Sequence, residues 1–119
     1  MITVVKFGGH AMSDNDGLFA RAIAHALSEG FQLAIVHGGG PQINTALESA
    51  GITSEFVGGF RVTTPEVFEV VERVLSKEVG PRVASTLSRE GVNAQSLEGR
   101  RIIRATKQST LVDGSKADL

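Results

Sequence analysis

The 119-residue chain contains no cysteine, no tryptophan and no tyrosine. Without cysteine it forms no disulfide and offers no thiolate for catalysis or metal binding. Six phenylalanines are its only aromatic residues, which argues against a single-stranded nucleic-acid platform or a large interface, because both rely on aromatic side chains. No apolar run approaches the ~18 residues that a membrane helix needs. The N-terminus lacks a secretory signal pattern, so the expected compartment is the cytoplasm.

An excess of either charge is also missing. The chain has 12 Lys and Arg against 13 Asp and Glu, a net charge of −1. Because the two signs are interspersed, no basic face is available for nucleic acid or a membrane surface. The length and the 41% hydrophobic content predict one globular domain with its own core.

What the sequence does have is two glycine-rich turns, each placed after an apolar run and before a helical pattern. Residues 2–7 lead into Gly8-Gly9, and residues 33–37 lead into Gly38-Gly39-Gly40-Pro41. Glycine lets backbone N–H groups approach an anion with no Cβ in the way, and a following helix N-terminus adds positive potential. The pattern predicts a site for a phosphoryl group or a carboxylate.

Around these turns, the periodicity predicts alternating strands and helices, and therefore an α/β fold with a mostly parallel sheet. The predicted helices cover 16–28, 41–51 and 64–89, the last broken or kinked at Gly80-Pro81. The predicted strands cover 2–7, 32–37, 92–97 and 101–106, with a hairpin over 55–63 around Gly58-Gly59 and the first arm and turn of another over 111–116. Because that second hairpin has no return strand, the sequence suggests an unfinished chain.

Lys6 closes the first strand at the mouth of its turn. It is either a lysine reaching out to water or, with Gly8-Gly9, a source of positive charge for a transferring phosphoryl group. Neither turn matches a P-loop or a dinucleotide-binding glycine pattern. For Gly38–Gly40, the structural alternative is a tight turn that needs positive φ, but one glycine would satisfy it.

Arg61, on the predicted hairpin, is either a solvated surface residue or a bidentate clamp on a substrate carboxylate. The histidines have no metal-ligand spacing, so we predict no metal site. We expect His25 to be structural and His37 to hydrogen-bond its turn, and we assign no role to His10.

Three segments, residues 5–12, 36–43 and 59–63, resemble the acetylglutamate kinase family of the amino acid kinase superfamily. The resemblance implies a three-layer αβα sandwich and ATP-dependent phosphorylation of the side-chain carboxylate of N-acetyl-L-glutamate, a step of arginine biosynthesis. It implies that Lys6 stabilises the transferring phosphoryl group, that Gly8 and Gly9 cradle phosphates, that Gly39 and Gly40 bind substrate and phosphoryl oxygens, and that Arg61 holds a substrate carboxylate. ATP with Mg²⁺ would serve the complete enzyme, and the family implies a homodimer that buries part of the helix over 64–89.

The chain departs from this family in length. Members are longer, and their second half carries the nucleotide pocket, a second phosphate-directed lysine and an organising aspartate. The chain therefore resembles the acetylglutamate-binding half alone, which would bind no ATP by itself. The first strand begins at Ile2, so the extra N-terminal helix of arginine-inhibited members is not matched. Three alternatives stay open: a kinase of a related acyl amino acid such as an aminoadipate derivative, the kinase-like domain of an acetylglutamate synthase, and a non-catalytic substrate-binding or dimerisation fragment.

Overall fold

The structure is a computed structural model that describes residues 1–8, 16–106, 110, 114 and 116. Two strands, β1 (Ile2–Phe7) and β2 (Gln32–His37), pair in parallel over their full length. The helix α1 (Leu18–Ser28) lies between them in the chain and provides the crossover that parallel strands require. The predicted α/β class and parallel sheet are therefore confirmed.

One face of this sheet is packed by helices. Side chains alternate between the two faces of a strand, and those of Val5, Leu33 and Ile35 point toward α1 and α4 (Gly80–Arg89). Phe7 is buried on the same face and stacks on Phe19 of α1, with ring centroids 3.7 Å apart. This core fixes the carboxyl end of β1.

The other face of the sheet is open. Ile2, Val4 and Val36 are each more than half exposed, at 63%, 66% and 56%. Lys6 shares this face because it pairs with Val36. Over these residues, the third layer of the predicted sandwich is not seen.

A second core lies among α2 (Gly40–Ser49), α3 (Pro65–Arg73) and the π-helical segment Val74–Val79. Thr64 caps α3, since its hydroxyl accepts a hydrogen bond from the Val67 N–H at 3.3 Å, and Pro65 occupies the first turn, as predicted. The buried members of this core come from all three helical segments: Ile43, Leu47, Val67, Val70, Val74 and Val79.

The predicted interruption at Gly80-Pro81 takes the form of the π segment. Pro81 has no N–H, and its ring would clash with the carbonyl four residues earlier in a regular α-helix. The chain instead runs as a wider π turn up to Val79 and then continues as α4, with Pro81 in the first turn.

No helix within the described ranges is long and apolar enough to cross a membrane.

The predicted hairpin around Gly58-Gly59 is confirmed. Strands β3 (Phe56–Val57) and β4 (Phe60–Arg61) pair antiparallel. Gly58 and Gly59 have φ values of 55° and 84°, the left-handed conformation that a two-residue hairpin turn of this type requires.

The strands predicted over 92–97 and 101–106 are wrong. In the first segment, the Ala94 N–H bonds locally to the Val92 carbonyl at 3.0 Å, and a cavity of about 350 Å³ separates the segment from β2. In the second, the β-branched Ile102 and Ile103 suggested a strand, but Gly99–Ile102 forms a short helix, α5. Ion pairs favour this turn, since Glu98 binds Arg101 one turn on and Lys77 of the π segment.

Most of the hairpin arm predicted over 111–116 lies outside the described residues. Within it, Gly114 has a φ of 83°. Thr110 and Lys116 form an antiparallel bridge across that glycine.

Candidate functional site

The two glycine turns lie side by side at one edge of the sheet. Phe7 pairs with His37, and the Gly38 N–H donates to the Phe7 carbonyl at 3.1 Å. Gly8 therefore meets the Gly38–Gly40 turn at the carboxyl ends of β1 and β2, where open α/β sheets bind ligands. Gly8 and the second turn are therefore neighbours at this edge. Gly9 lies outside the described part of the chain.

The glycines of the turns differ in what they are needed for. None of Gly8, Gly38, Gly39 and Gly40 has a left-handed φ, so the structural alternative of a turn that needs positive φ does not apply. A Cβ on Gly39 would lie 2.7 Å from Leu75 Cδ2, so packing explains this buried glycine. A Cβ on Gly8, Gly38 or Gly40 would meet no atom of the described residues within 4 Å. Their backbones are therefore open to a ligand.

The N-terminus of α2 is a source of positive potential at the second turn. Gly39 is its N-cap residue, and no side chain of the described residues caps it. Free N–H groups and the helix dipole favour an anion at such an end. Arg82 adds a further positive charge near this helix start, which the sequence pattern did not reveal. The side-chain amide of Gln42, in the orientation that satisfies both partners, donates to the Gly39 carbonyl at 3.3 Å and accepts from Arg82 Nη2 at 3.2 Å.

Lys6 is exposed on the open face of the sheet, two residues before Gly8. Within the described ranges, it takes part in none of the ion pairs. Its ammonium is therefore not committed to a carboxylate in that part of the protein, as a phosphoryl-directed lysine requires.

His37 bonds its own turn, as expected from the sequence. Its Nδ1 lies 2.9 Å from the Gly38 carbonyl oxygen. Its Nε2 lies beside Gly80, where a Cβ would be 3.2 Å from that nitrogen and 2.5 Å from Ser96 Oγ. Gly80 thus allows the start of α4 to approach the end of β2, a packing role that sequence reasoning missed.

In the described part of the chain, no three His, Asp or Glu side chains are grouped as metal ligands.

Arg61 is not a free surface residue. Its Nη1 donates to Ser54 Oγ, and its Nη2 donates to Asn44 Oδ1 at 2.7 Å. The guanidinium carbon lies 4.6 Å from the centroid of the Phe56 ring. The bonds to Ser54 and Asn44 were not foreseen, because neither residue carries a sequence signal of its own.

The helix α2 connects Arg61 to the glycine turn. Asn44, which binds Arg61, follows Gly40 by four residues, about 6 Å along a helix axis. Arg61 also borders an open cavity of about 550 Å³. The other residues lining that cavity come from α2, the following loop and β3: Asn44, Leu47, Glu48, Gly51, Ile52, Thr53, Ser54 and Phe56. The glycine turns do not line it, so the structure relates the two candidate anion-binding features through α2 and not through one shared pocket.

Curated relatives of the chain include acetylglutamate kinases. An acetylglutamate kinase of Rhodococcus jostii (strain RHA1) is 44% identical over 123 residues, which cover 99% of this chain and 40% of the relative. An acetylglutamate kinase of Paenarthrobacter aurescens (strain TC1) is 42% identical over 120 residues, which cover 98% of this chain and 38% of the relative. The chain thus spans about two fifths of the length of these relatives.

Solved structures and a family model agree with this similarity. The crystal structure of smu.665 from Streptococcus mutans UA159 matches with a TM-score of 0.73 and 35% identity, over 79% of this chain and 38% of that one. An N-acetylglutamate synthase from Neisseria gonorrhoeae, complexed with coenzyme A and L-arginine, matches with a TM-score of 0.58 over 97% of this chain and 28% of that one; at 17% identity it supports the fold alone. The model of the amino acid kinase family matches residues 1–118. The chain therefore belongs to the amino acid kinase family.

Proposed function

We propose that this chain is the substrate-binding half of a kinase that transfers the γ-phosphoryl group of ATP to the side-chain carboxylate of N-acetyl-L-glutamate, in arginine biosynthesis. The observation that carries the proposal is that one helix, α2, contacts two candidate anion-binding features. Gly40 begins α2 at the glycine turn, and Asn44 of the same helix holds Arg61. One feature suits a phosphoryl group and the other a carboxylate.

In the proposed reaction, a carboxylate oxygen of the substrate bonds to the γ-phosphorus while the bond from that phosphorus to the β–γ bridging oxygen breaks. ADP leaves, and an acyl phosphate forms. The Lys6 ammonium and the N–H groups of the glycine turns would bind the oxygens of the transferring phosphoryl group, where positive charge lowers the barrier to its transfer. Arg61 would hold a substrate carboxylate that takes no part in bond making.

In this proposal, ATP and Mg²⁺ bind to the complete enzyme and not to this chain alone. The donors at the turns are an ammonium and backbone N–H groups, which bind phosphate oxygens and repel a metal ion. The Mg²⁺ would therefore arrive with the nucleotide, whose phosphates are its ligands. We propose that the nucleotide pocket lies in the part of the relatives that this chain does not span.

Calorimetry on the 119-residue chain tests the proposal. We expect weak binding of N-acetyl-L-glutamate and weaker or no binding of N-acetyl-L-glutamine, which has the same shape but a neutral side chain. Replacing Arg61 by alanine should reduce the affinity for N-acetyl-L-glutamate. Equal binding of both ligands would contradict a site built for the side-chain carboxylate, and N-acetyl-L-aminoadipate as a third ligand tests the longer acyl amino acid.

Turnover separates the half-enzyme from a complete one. The isolated chain should produce no ADP from ATP and N-acetyl-L-glutamate, because one anion site without a nucleotide pocket cannot align donor and acceptor. A chimera that continues this chain with the unmatched C-terminal part of the Rhodococcus jostii relative should recover activity. Measurable kinase activity of the 119 residues alone would overturn the half-enzyme proposal.

The homodimer implied by the resemblance stays a prediction. The helical run from Pro65 to Arg89 buries one side in the protein core, while Phe68 on α3 is 50% exposed. We expect a second copy to bury part of this run. Light scattering at high micromolar concentration checks the prediction, and a mass equal to one chain would count against it.

A further inference from the structure

We infer that Asn44 and Ser54 are positioning residues, which hold the guanidinium of Arg61 ready for a carboxylate before any ligand arrives. The inference rests on the proposed substrate-binding role of Arg61. It adds two side chains, on two separate segments, whose task is to orient the clamp.

Two fixed acceptors hold the guanidinium within its own plane. Asn44 Oδ1 lies on α2 and accepts from Nη2 at 2.7 Å, and Ser54 Oγ lies in the loop after α2 and accepts from Nη1. Because the two acceptors bind different terminal nitrogens, neither nitrogen can rotate away without breaking a hydrogen bond. Arg61 is therefore held from outside its own strand.

The third restraint is the aromatic ring of Phe56. Phe56 pairs with Arg61 across the hairpin, and the guanidinium carbon lies 4.6 Å from the centroid of its ring. This distance is within the range of a cation–π contact. With the ring on one side and two acceptors in the plane, Arg61 has little freedom left to lose when a ligand binds.

The chemistry of the acceptors leaves the charge available. An amide oxygen and a hydroxyl accept hydrogen bonds without neutralising the guanidinium, whereas an aspartate or glutamate at either place would do so. Of the five N–H donors of an arginine, these bonds use two, and a carboxylate needs two of the remaining three. Restraining a long side chain in advance removes an entropic cost from binding.

The test compares four variants of the full 119-residue chain with the wild type. Asn44→Ala and Ser54→Ala each remove one acceptor, and Asn44→Asp keeps an acceptor but adds a negative charge. Ser49→Ala is the matched control, since its hydroxyl bonds only to the Thr45 carbonyl of its own helix at 2.8 Å. The ligand-free readout is the ¹⁵N–¹H spectrum of the Arg61 side chain, assigned with Arg61→Lys. The second readout is the calorimetric Kd for N-acetyl-L-glutamate.

We expect separate Nη signals for Arg61 in the wild type and in Ser49→Ala, and averaged signals in Asn44→Ala and Ser54→Ala. In the two alanine variants, Kd should rise about five- to tenfold. Asn44→Asp should keep the ordered signals but raise Kd further, because its carboxylate competes with the ligand for the guanidinium. Ser54 lies in a loop, so Ser54→Ala still tests whether the acceptors order Arg61 if the helix does not tolerate a change at position 44.

Unchanged Arg61 signals in both alanine variants would overturn the inference. Tighter ligand binding in either variant would also overturn it, because the removed side chain would then be a competitor of the ligand and not a support. If the wild type binds no N-acetyl-L-glutamate while its Arg61 signals are ordered and depend on Asn44, the proposed substrate fails and the positioning role stands.

Discussion

The glycine turns and the Arg61 hairpin offer positive charge to an anion in two different ways. At the turns, the proposed donors are backbone N–H groups and the Lys6 ammonium, and a Cβ on Gly8, Gly38 or Gly40 would meet no described residue within 4 Å. At the hairpin, the donor is one guanidinium, which two side-chain acceptors and an aromatic ring hold in place. The turns depend on backbone shape, and the hairpin depends on a side-chain network.

This difference matters for what each region can contribute to a reaction. The Lys6 ammonium forms no ion pair within the described residues. Such a charge at the end of β1 suits a group whose charge changes during the reaction, so its effect would appear mainly in the transition state. A guanidinium fixed in advance suits a group whose charge stays constant, and such a contact stabilises the ground state and the transition state alike. The two regions should therefore respond differently to substitution.

The largest expected effect is that of Lys6→Ala on kcat. In the active chimera described above, the loss of an ammonium aimed at the moving phosphoryl group should cost about 2.7–4 kcal/mol in the barrier, a fall of roughly 100- to 1,000-fold in kcat, with little change in KM. Steady-state kinetics with N-acetyl-L-glutamate measures both constants. Lys77→Ala is the matched control, because that lysine binds Glu98 on the surface. An unchanged kcat in the Lys6 variant would remove its assigned role.

The second effect should fall on KM. Arg61→Ala removes the proposed clamp on a substrate carboxylate, so KM should rise by the equivalent of about 1.5–3 kcal/mol while kcat changes less. The same kinetic assay in the chimera checks this, with Arg89→Ala, an exposed arginine at the end of α4, as the control. A loss confined to kcat would mean that Arg61 acts on the reacting group, which would erase the distinction between the two regions.

The sequence predicts the glycine-turn region better than the hairpin region. The apolar strands, the turns and the helix starts are local patterns, so β1, β2 and α2 were found close to their observed bounds. The partners of Arg61 were not found, because Asn44 and Ser54 are 17 and 7 residues away and only tertiary folding brings them to the guanidinium.

The wrong strands over 92–97 and 101–106 have a related cause. β-branched residues such as Ile102 and Ile103 favour a strand only where a partner strand supplies hydrogen bonds. Here residues 99–102 form a helical turn instead, and ion pairs from Arg100 to Glu72 and from Lys77 to Glu98 connect this segment to α3 and the π segment. Propensity alone carries no information about such distant partners.

A third, smaller effect distinguishes two neighbouring glycines. Gly39→Ala places a Cβ 2.7 Å from the end of the half-buried Leu75 side chain. This side chain must turn aside, so the free energy of unfolding should fall by about 1 kcal/mol. Gly40→Ala meets open space at the start of α2, so stability should stay the same or rise by about 0.5–1 kcal/mol, since alanine suits a helix better than glycine. Urea unfolding measures both.

Binding completes that comparison. Gly40→Ala should bind N-acetyl-L-glutamate less well than the wild type despite its stability, because the added methyl group occupies space that the open backbone leaves to a ligand. Calorimetry on the same two variants measures this. If Gly40→Ala keeps the wild-type affinity, the ligand does not approach the backbone at this turn.

The smallest effect concerns a third way of holding charge, the surface ion pairs of α5. The hydrogen bond from the Lys77 ammonium lowers the pKa of the Glu98 carboxyl below its ordinary value of 4.5, and Arg101 adds to this effect. Because the folded pKa is the lower one, the ionised carboxylate contributes stability above pH 4.5, and this contribution is lost as the pH falls through the folded value. Glu98→Gln should therefore be slightly less stable than the wild type at pH 7 and converge with it in acid, when both are measured by urea unfolding.

Added salt should reduce the difference at pH 7, since these groups lie at the surface and are screened. Glu98→Gln should leave the affinity for N-acetyl-L-glutamate unchanged, because the charge of Glu98 is neutralised within α5 and the π segment and is not offered to a ligand. A shift in that affinity would show that α5 communicates with one of the two candidate anion-binding regions.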